Sequence, residues 1–306
     1  MKSSFVSRLL VSLGRLQQPA HRIVWGALPA LAILAAPLNA IASTEKVGGR
    51  EHRAELSRPP LLRSAVAFAI DEDTGKTIYD KNSNAVVPIA SVTKLMTAMV
   101  VLDSKESLTE PITVTDEDRD YEKFTGSRLS VGSVLSREDM LHIALMASEN
   151  RAAAALSRYF PGGRPAFLNA MNAKAAALGM TDTHFESPSG LTSKNVSTAR
   201  DLVKMVEAAY QYPLIRKFST DRAYDVNTGK RTIAYRSTNA LIRDRHWTIG
   251  LQKTGFINEA GICLVMQTTI DSRPVVMVLL DSSGKYSDFA DAGALRSYFI
   301  ADDRRG

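Results

Sequence analysis

The stretch WTIGLQKTGF, residues 247–256, is where the reading of this chain turns. Trp247 to Gln252 is strand-like, and it runs into Lys253-Thr254-Gly255, a tripeptide that occurs once in 306 residues. Two further apolar runs follow, Ile262 to Ile270 and Val275 to Leu280. They are set off by Asn258-Glu259-Ala260-Gly261 and Asp271-Ser272-Arg273-Pro274, both of turn composition. The last third therefore reads as strands joined by two hairpin connections. A helix over 287–299, with Phe289, Leu295 and Phe299 apolar, closes the chain. Lys253-Thr254-Gly255 is expected at the end of the first of these strands.

Working outward, Ser64 to Ile70 and Lys76 to Tyr79 are short strand-like runs around Asp71-Glu72-Asp73-Thr74-Gly75, which predicts a β-hairpin. Gly75-Lys76-Thr77 looks like the tail of a phosphate loop, but Ile70 stands where that loop needs glycine, so nucleotide binding is excluded. Between the two sets of strands the period changes to that of helices. Leu95, Met96, Met99 and Leu102 predict a helix beginning near Ser91, while residues 104–133 are charged and irregular. Ser136 with Asp139 opens a second helix, along which Met140, Ile143, Ala144 and Ala147 share one face. Ser148-Glu149-Asn150 falls where that helix ends, and Ala152 to Leu156 restart the helical pattern. Phe167 to Leu178 is a further helix, Pro188-Ser189-Gly190 a loop, and Thr198 with Asp201 another helix start. Strands at both ends with helices between give an α+β fold, an antiparallel β-sheet flanked by helices with an inserted all-helical subdomain. The sheet subdomain spans about 61–96 and 235–306, and the helical one about 97–234.

The first 42 residues carry Lys2, Arg8, Arg15 and Arg22 and no acidic residue, then an apolar run from Ile23 to Ala36 and a small-x-small site at Ala40-Ile41-Ala42. This is the pattern of a cleaved secretory signal peptide. The run is shorter than the roughly 20 residues of a spanning helix, so no stable membrane anchor is expected after its removal. Residues 43–60, with Gly48-Gly49 and Pro59-Pro60, read as a flexible leader, and 61–306 as the folded domain. Without the signal, 34 basic residues face 32 acidic ones, so the basic character owes much to export. No basic stripe interleaved with aromatics remains, which excludes nucleic acid as a partner. The single cysteine, Cys263, excludes an intrachain disulfide and reads as a buried thiol within a strand. His142 has no second ligand at metal spacing and reads as packed; no metal or other cofactor is called for.

Ser91-Val92-Thr93-Lys94, Ser148-Glu149-Asn150 and Lys253-Thr254-Gly255 occur in this order along the chain. Ser-x-x-Lys recurs at Ser43 to Lys46 and Ser282 to Lys285, and Ser-x-Asn at Ser193 to Asn195 and Ser237 to Asn239, so the ordered set carries the argument. A serine hydroxyl needs a base to become a nucleophile. Residues three apart share a helix face, so Lys94 can be that base for Ser91. It must then be neutral, against an ordinary pKa of about 10.4, which asks for roughly 4 kcal/mol. The helix dipole supplies about 1 kcal/mol at most. Burial and a second cation, for which Lys253 is the candidate, must supply the rest. Ser148 can relay a proton to a leaving nitrogen, and Asn150 can hold a substrate amide or orient Lys94. Lys253 and Thr254 can bind a substrate carboxylate, and Gly255 lets the substrate backbone approach. The backbone N–H groups of Ser91 and Phe256 would form an oxyanion hole.

The three motifs are those of class A β-lactamases and penicillin-binding proteins, with Glu149 departing from the usual Asp. The chain resembles the low-molecular-mass penicillin-binding proteins of the D-alanyl-D-alanine carboxypeptidase and endopeptidase family, and most closely those of the penicillin-binding protein 7 type, murein DD-endopeptidases. The likeness runs from about Ala65 to Phe299 and includes Pro88 to Thr97, Ser148 to Ala153, Asn195 to Leu202, Lys253 to Phe256, Asn258 to Gly261 and Gly284 to Tyr286. It implies the transpeptidase-like fold, an acyl-enzyme on Ser91, the peptide part of peptidoglycan as substrate in the periplasm, and β-lactams as covalent inhibitors. Family carboxypeptidases usually continue into a β-rich domain and an amphipathic anchor; this chain stops at residue 306, which favours the endopeptidase over a carboxypeptidase. A class A β-lactamase would need a Glu-x-x-Leu-Asn loop, and none lies between Asn150 and Lys253. A non-catalytic wall-binding protein is disfavoured because every reactive residue is present. Ile257 departs from the family's usual threonine, removing a hydroxyl expected near the substrate carboxylate.

Overall fold

Alternation along three strands explains how the molecule is layered. In a computed structural model, which describes residues 58–303, Leu264 and Met266 face one core while Val265 faces another. The same split separates Ala67 and Ala69 from Val66 and Phe68, and Met277 and Leu279 from Val276, Val278 and Leu280. Strand side chains alternate between faces, so a sheet with apolar residues at every position must be covered on both. The strands are β1 (Ser64–Asp71), β2 (Thr77–Lys81), β9 (Thr248–Ile257), β10 (Gly261–Ile270) and β11 (Arg273–Ser282). They form one antiparallel sheet in the order β2-β1-β11-β10-β9. The N-terminal hairpin thus docks on the C-terminal strands through β1 and β11.

One face is covered by the final helix α7 (Ser287–Asp303), which brings Ala292, Leu295 and Phe299. The other faces a core to which six helices contribute. α1 (Lys94–Asp103) is buried along residues 94–101 and touches all five of the others: α2 (Arg137–Met146), α3 (Asn150–Arg158), α4 (Gly163–Ala177), α5 (Ala199–Tyr210) and α6 (Pro213–Thr220). A helix apolar all round belongs in such a central place. The anticipated caps form, with the Ser136 hydroxyl accepting from Asp139 N–H and Thr198 from Asp201 N–H. The fold is α+β, an antiparallel sheet flanked by helices.

Four details differ from the sequence reading. Ser91 lies in a single 3₁₀ turn, Ala90–Thr93, and the α-helix starts only at Lys94. Lys253-Thr254-Gly255 is inside β9, because the strand continues through Phe256 and Ile257 before its hairpin turn. The helix over Phe167 to Leu178 begins earlier, at Gly163. The hairpin of β7 (Ala223–Asn227) and β8 (Thr232–Arg236), and helix α6, were not anticipated, although Tyr224, Val226, Ile233 and Tyr235 alternate. Short paired strands complete the set: β3 (Val87–Pro88) with β6 (Val196–Ser197), and β4 (Pro111–Thr113) with β5 (Val134–Ser136). The signal-peptide segment 1–42 and the leader, up to residue 57, lie outside the described residues.

Cys263 is fully buried and its Sγ lies 3.4 Å from the Ala260 carbonyl; burial pushes the thiol up to about 12. His142 is likewise packed, stacked between Phe218 and Tyr224 at ring separations of 4.4 and 3.8 Å.

Candidate active site

Ser91 sits on the 3₁₀ turn between the sheet and α1, preceded by Ala90 at φ 47°. A non-glycine residue in that region is strained, and such strain needs a surrounding structure to hold it. The Thr93 hydroxyl does part of this by donating to the Ala90 carbonyl at 2.8 Å. From the other side comes β9. A Cβ on Gly255 would fall 3.0 Å from the Ser91 backbone nitrogen and 3.1 Å from the Ala90 Cβ. A side chain there would crowd the protein's own nucleophile turn, a packing reason for glycine that stands beside the approach of substrate read from the sequence.

Lys94 opens α1 and is fully buried. Its Nζ lies 2.8 Å from Ser91 Oγ, 2.8 Å from Asn150 Oδ1 and 2.7 Å from the Ser189 carbonyl. Burial holds its pKa well below that of an ordinary lysine, the charge of Lys253 lowers it further, and Glu149 opposes both. A neutral amine has two N–H donors and one lone pair. Asn150 Oδ1 and the Ser189 carbonyl can only accept, so they take the two N–H bonds. Lys94 Nζ donates to Ser91 Oγ while the amine is charged, and once neutral its remaining lone pair faces that hydroxyl and can take its proton, which is the arrangement of a general base.

Asn150 starts α3 and reaches this point because the chain bends at Ser148, which has φ 58°. The intervening Glu149 is buried and turned to a different set of partners. Its carboxylate accepts from the Ser127 hydroxyl at 2.6 Å, the Tyr235 hydroxyl at 3.2 Å and Arg151 N–H at 3.3 Å. Glu149 thus fixes the bend that presents its two neighbours, a role the sequence did not disclose.

Lys253 is fully buried, donates to its neighbour's carbonyl, Thr254 O, at 2.8 Å, and is brought down to about 7 by burial. The two buried lysines repel one another, and this repulsion adds to burial in holding Lys94 well below the ordinary lysine range. Lys253 does not reach the wall of the cavity over Ser91, a space of about 880 Å³. That wall carries Ser91, Ser148, Asn150, Thr254, Gly255 and Phe256. Of the tripeptide, Thr254 and Gly255 line this cavity, and Lys253 lies buried behind them. Thr254 Oγ1 pairs at 2.5 Å with Thr238 Oγ1, which also lines the cavity. Thr238 lies within the Ser237 to Asn239 motif that the ordered reading set aside as a chance match. Ile257 packs into the helical core, 5% exposed, and is absent from the cavity wall. The Ser189 carbonyl was also missed, since a backbone acceptor leaves no mark in a sequence beyond its Pro-Ser-Gly loop.

A serine and a buried lysine held well below its ordinary pKa, beneath an open cavity on a sheet-and-helix seam, define a serine acyl-transfer enzyme. The chain belongs to the D-alanyl-D-alanine carboxypeptidase family, whose model matches residues 53–284, and it is accordingly a serine DD-peptidase. It is 52% identical over 239 residues to a D-alanyl-D-alanine endopeptidase of Pseudomonas aeruginosa, covering 78% of this chain and 77% of that one. A D-alanyl-D-alanine endopeptidase of Escherichia coli is 49% identical over 242 residues, covering 78% of each. Among solved structures, a Streptomyces DD-transpeptidase superposes with a TM-score of 0.74 at 29% identity, covering 80% of this chain and 99% of the other. A penicillin-binding protein of Listeria monocytogenes in its cefotaxime-bound form gives 0.70 at 27% identity, covering 79% and 100%.

Proposed function

We propose that the protein cleaves D-alanyl cross-links between peptidoglycan peptides, with Ser91 as nucleophile and Lys94 as base. The contact set of Lys94 carries this reading, because it leaves one lone pair and aims it at one hydroxyl. Ser91 attacks the D-alanyl carbonyl, and its proton passes to Lys94 Nζ. The carbonyl oxygen becomes an oxyanion facing the backbone N–H groups of Ser91 and Phe256; losing one such donor costs roughly 3 to 4 kcal/mol. Ser148 relays the proton to the departing amine, Asn150 both orients Lys94 and holds the substrate amide, and Thr254 with Thr238 receives the carboxylate beside the scissile bond. Water then repeats the sequence on the ester, returning Ser91. A β-lactam acylates the same oxygen.

The endopeptidase assignment is supported by the two relatives of that name at about half identity. The site of action is the periplasm, supported by the basic, apolar and small-x-small order of residues 1–42, which we assign as an export signal. Among the described residues no helix is long and apolar enough to cross a membrane. Purified cross-linked muropeptide dimers decide the substrate. Their conversion to monomers is the expected result, and trimming of terminal D-alanine from pentapeptides with dimers left intact would make the protein a carboxypeptidase. Fluorescent penicillin decides the nucleophile: the natural protein is labelled and Ser91→Ala is not.

A further inference from the structure

The second acceptor for Lys94, the Ser189 carbonyl, belongs to none of the three motifs, and a backbone oxygen stays in place only if its loop does. The 186–190 loop is tied to a single buried side chain. Asn195 is 0% exposed; its Oδ1 accepts from the N–H groups of Glu186 at 2.8 Å and Ser187 at 2.9 Å. Its Nδ2 donates to the Ser187 carbonyl at 2.7 Å and to Thr93 Oγ1 at 3.0 Å. Every hydrogen-bonding position of the amide is used, three of them to shape the loop at Glu186 and Ser187 and one to reach the nucleophile turn. The backbone of Asn195 also accepts from Ile89 N–H at 3.1 Å, on the opposite side of that turn. Ser187 Oγ accepts from the N–H groups of Ser189 and Gly190, and Thr97 of α1 donates to the Pro188 carbonyl at 2.6 Å. At Gly190, φ is 79° and a Cβ would lie 1.9 Å from the Ala90 carbonyl, so loop and turn touch backbone to backbone.

We propose that Asn195, through Thr93 and the 186–190 loop, is a positioning residue for the general base: it holds the Ser189 carbonyl on Lys94 and thereby aims the amine's lone pair at Ser91. The inference rests on the reading of Lys94 as base. Its consequence has two parts with opposite directions. If the carbonyl drifts away, Nζ loses one of two fixed acceptors and rotates, so the acylation rate at its plateau falls. A carbonyl oxygen also favours the charged amine, so without it Lys94 loses its proton more readily and the acid limb moves to lower pH. The charged groups facing Lys94, Lys253 from β9 and Glu149 from the α2–α3 bend, are left unchanged by either variant below.

The test is the time course of labelling by fluorescent benzylpenicillin, on the full chain, across about pH 5 to 9. Asn195→Ala is expected to lower the plateau rate constant about 10- to 100-fold and to shift the acid limb downward. Thr93→Val, which keeps shape and removes the hydroxyl, is expected to move both in the same sense, and Thr93→Ser to restore natural behaviour. A partly unfolded sample lowers the amount of label but neither the rate constant nor the limb. The proposal is overturned if a folded Asn195→Ala keeps the natural rate, or loses rate with the limb unmoved, which would mark mere structural support. Should that variant not fold, a natural profile in Thr93→Val overturns it equally. Equal labelling of Ser91→Ala and the natural chain would instead remove the base and nucleophile reading on which the proposal stands.

Discussion

At the scale of single residues, the site depends on which of two buried lysines carries charge. Lys253 has a folded pKa of about 7 against an unfolded value of about 10.4. The unfolded chain therefore binds the extra proton over the window from about 10.4 down to 7, and stability is lost as pH falls through it. Lys253→Met should thus stabilise the fold near pH 7 by a few kcal/mol, the gain shrinking as pH approaches about 10.4. Thermal melts at several pH values check this, and a pH-independent gain would contradict it. The same substitution removes the repulsion acting on Lys94, so the acid limb of acylation should move to higher pH. Glu149→Gln is expected to do the reverse, because Glu149 is the charge that favours protonated Lys94. Glutamine can still accept from Ser127, so the bend should survive with a stability cost of about 1 to 3 kcal/mol. A limb that stays put in Glu149→Gln would show that the carboxylate does not act on Lys94.

Elements convert those residues into geometry, and here substitutions divide into those that bear on the nucleophile turn and those that do not. Ser136→Ala removes the N-cap of α2 and should cost about 1 kcal/mol with penicillin acylation unchanged. Gly255→Ala places a methyl against Ser91 N and Ala90 Cβ, forcing β9 from the turn; acylation should drop well beyond what the change in melting temperature explains. Kinetics on both variants separate the two classes, and equal kinetic losses would refute the division. Element types were largely legible because apolar spacing shifts from two to helical and back. Caps at Ser136 and Thr198 were legible too, since an N-cap is a local hydrogen bond between residues three apart. Less legible was where strands stop: Lys253-Thr254-Gly255 looked terminal because the eye stops at glycine, yet this glycine is demanded by a contact more than 160 residues earlier in the chain. The β7–β8 hairpin escaped for a related reason, as its polar, half-exposed strands carry a weak alternation. Thr238, the Ser189 carbonyl and the inward turn of Glu149 are set by tertiary approach, to which no local pattern corresponds.

Across the whole molecule, the site lies on the seam between the sheet and the helical core, with Thr254 from one and Ser91, Lys94 and Asn150 from the other. The two cores on either side of the sheet should therefore matter unequally. Leu264 lies in the core under α7, and Met96 in the helical core on the helix that carries Lys94; both are fully buried. Truncating either to alanine should cost about 2 to 5 kcal/mol, since both remove several methylene-sized groups and leave a cavity. Leu264→Ala empties space on the far side of β10, away from the turn, so each folded molecule should acylate at the natural rate. Met96→Ala lets α1 relax and with it the 2.8 Å approach of Lys94 to Ser91, so acylation per folded molecule should fall as well. Active-site titration with labelled penicillin gives the number of competent molecules, and the pre-steady-state rate gives their speed. If the two variants, matched in stability loss, slow acylation equally, then the seam is not what sets the base, and the site is better regarded as a rigid insert indifferent to which core supports it.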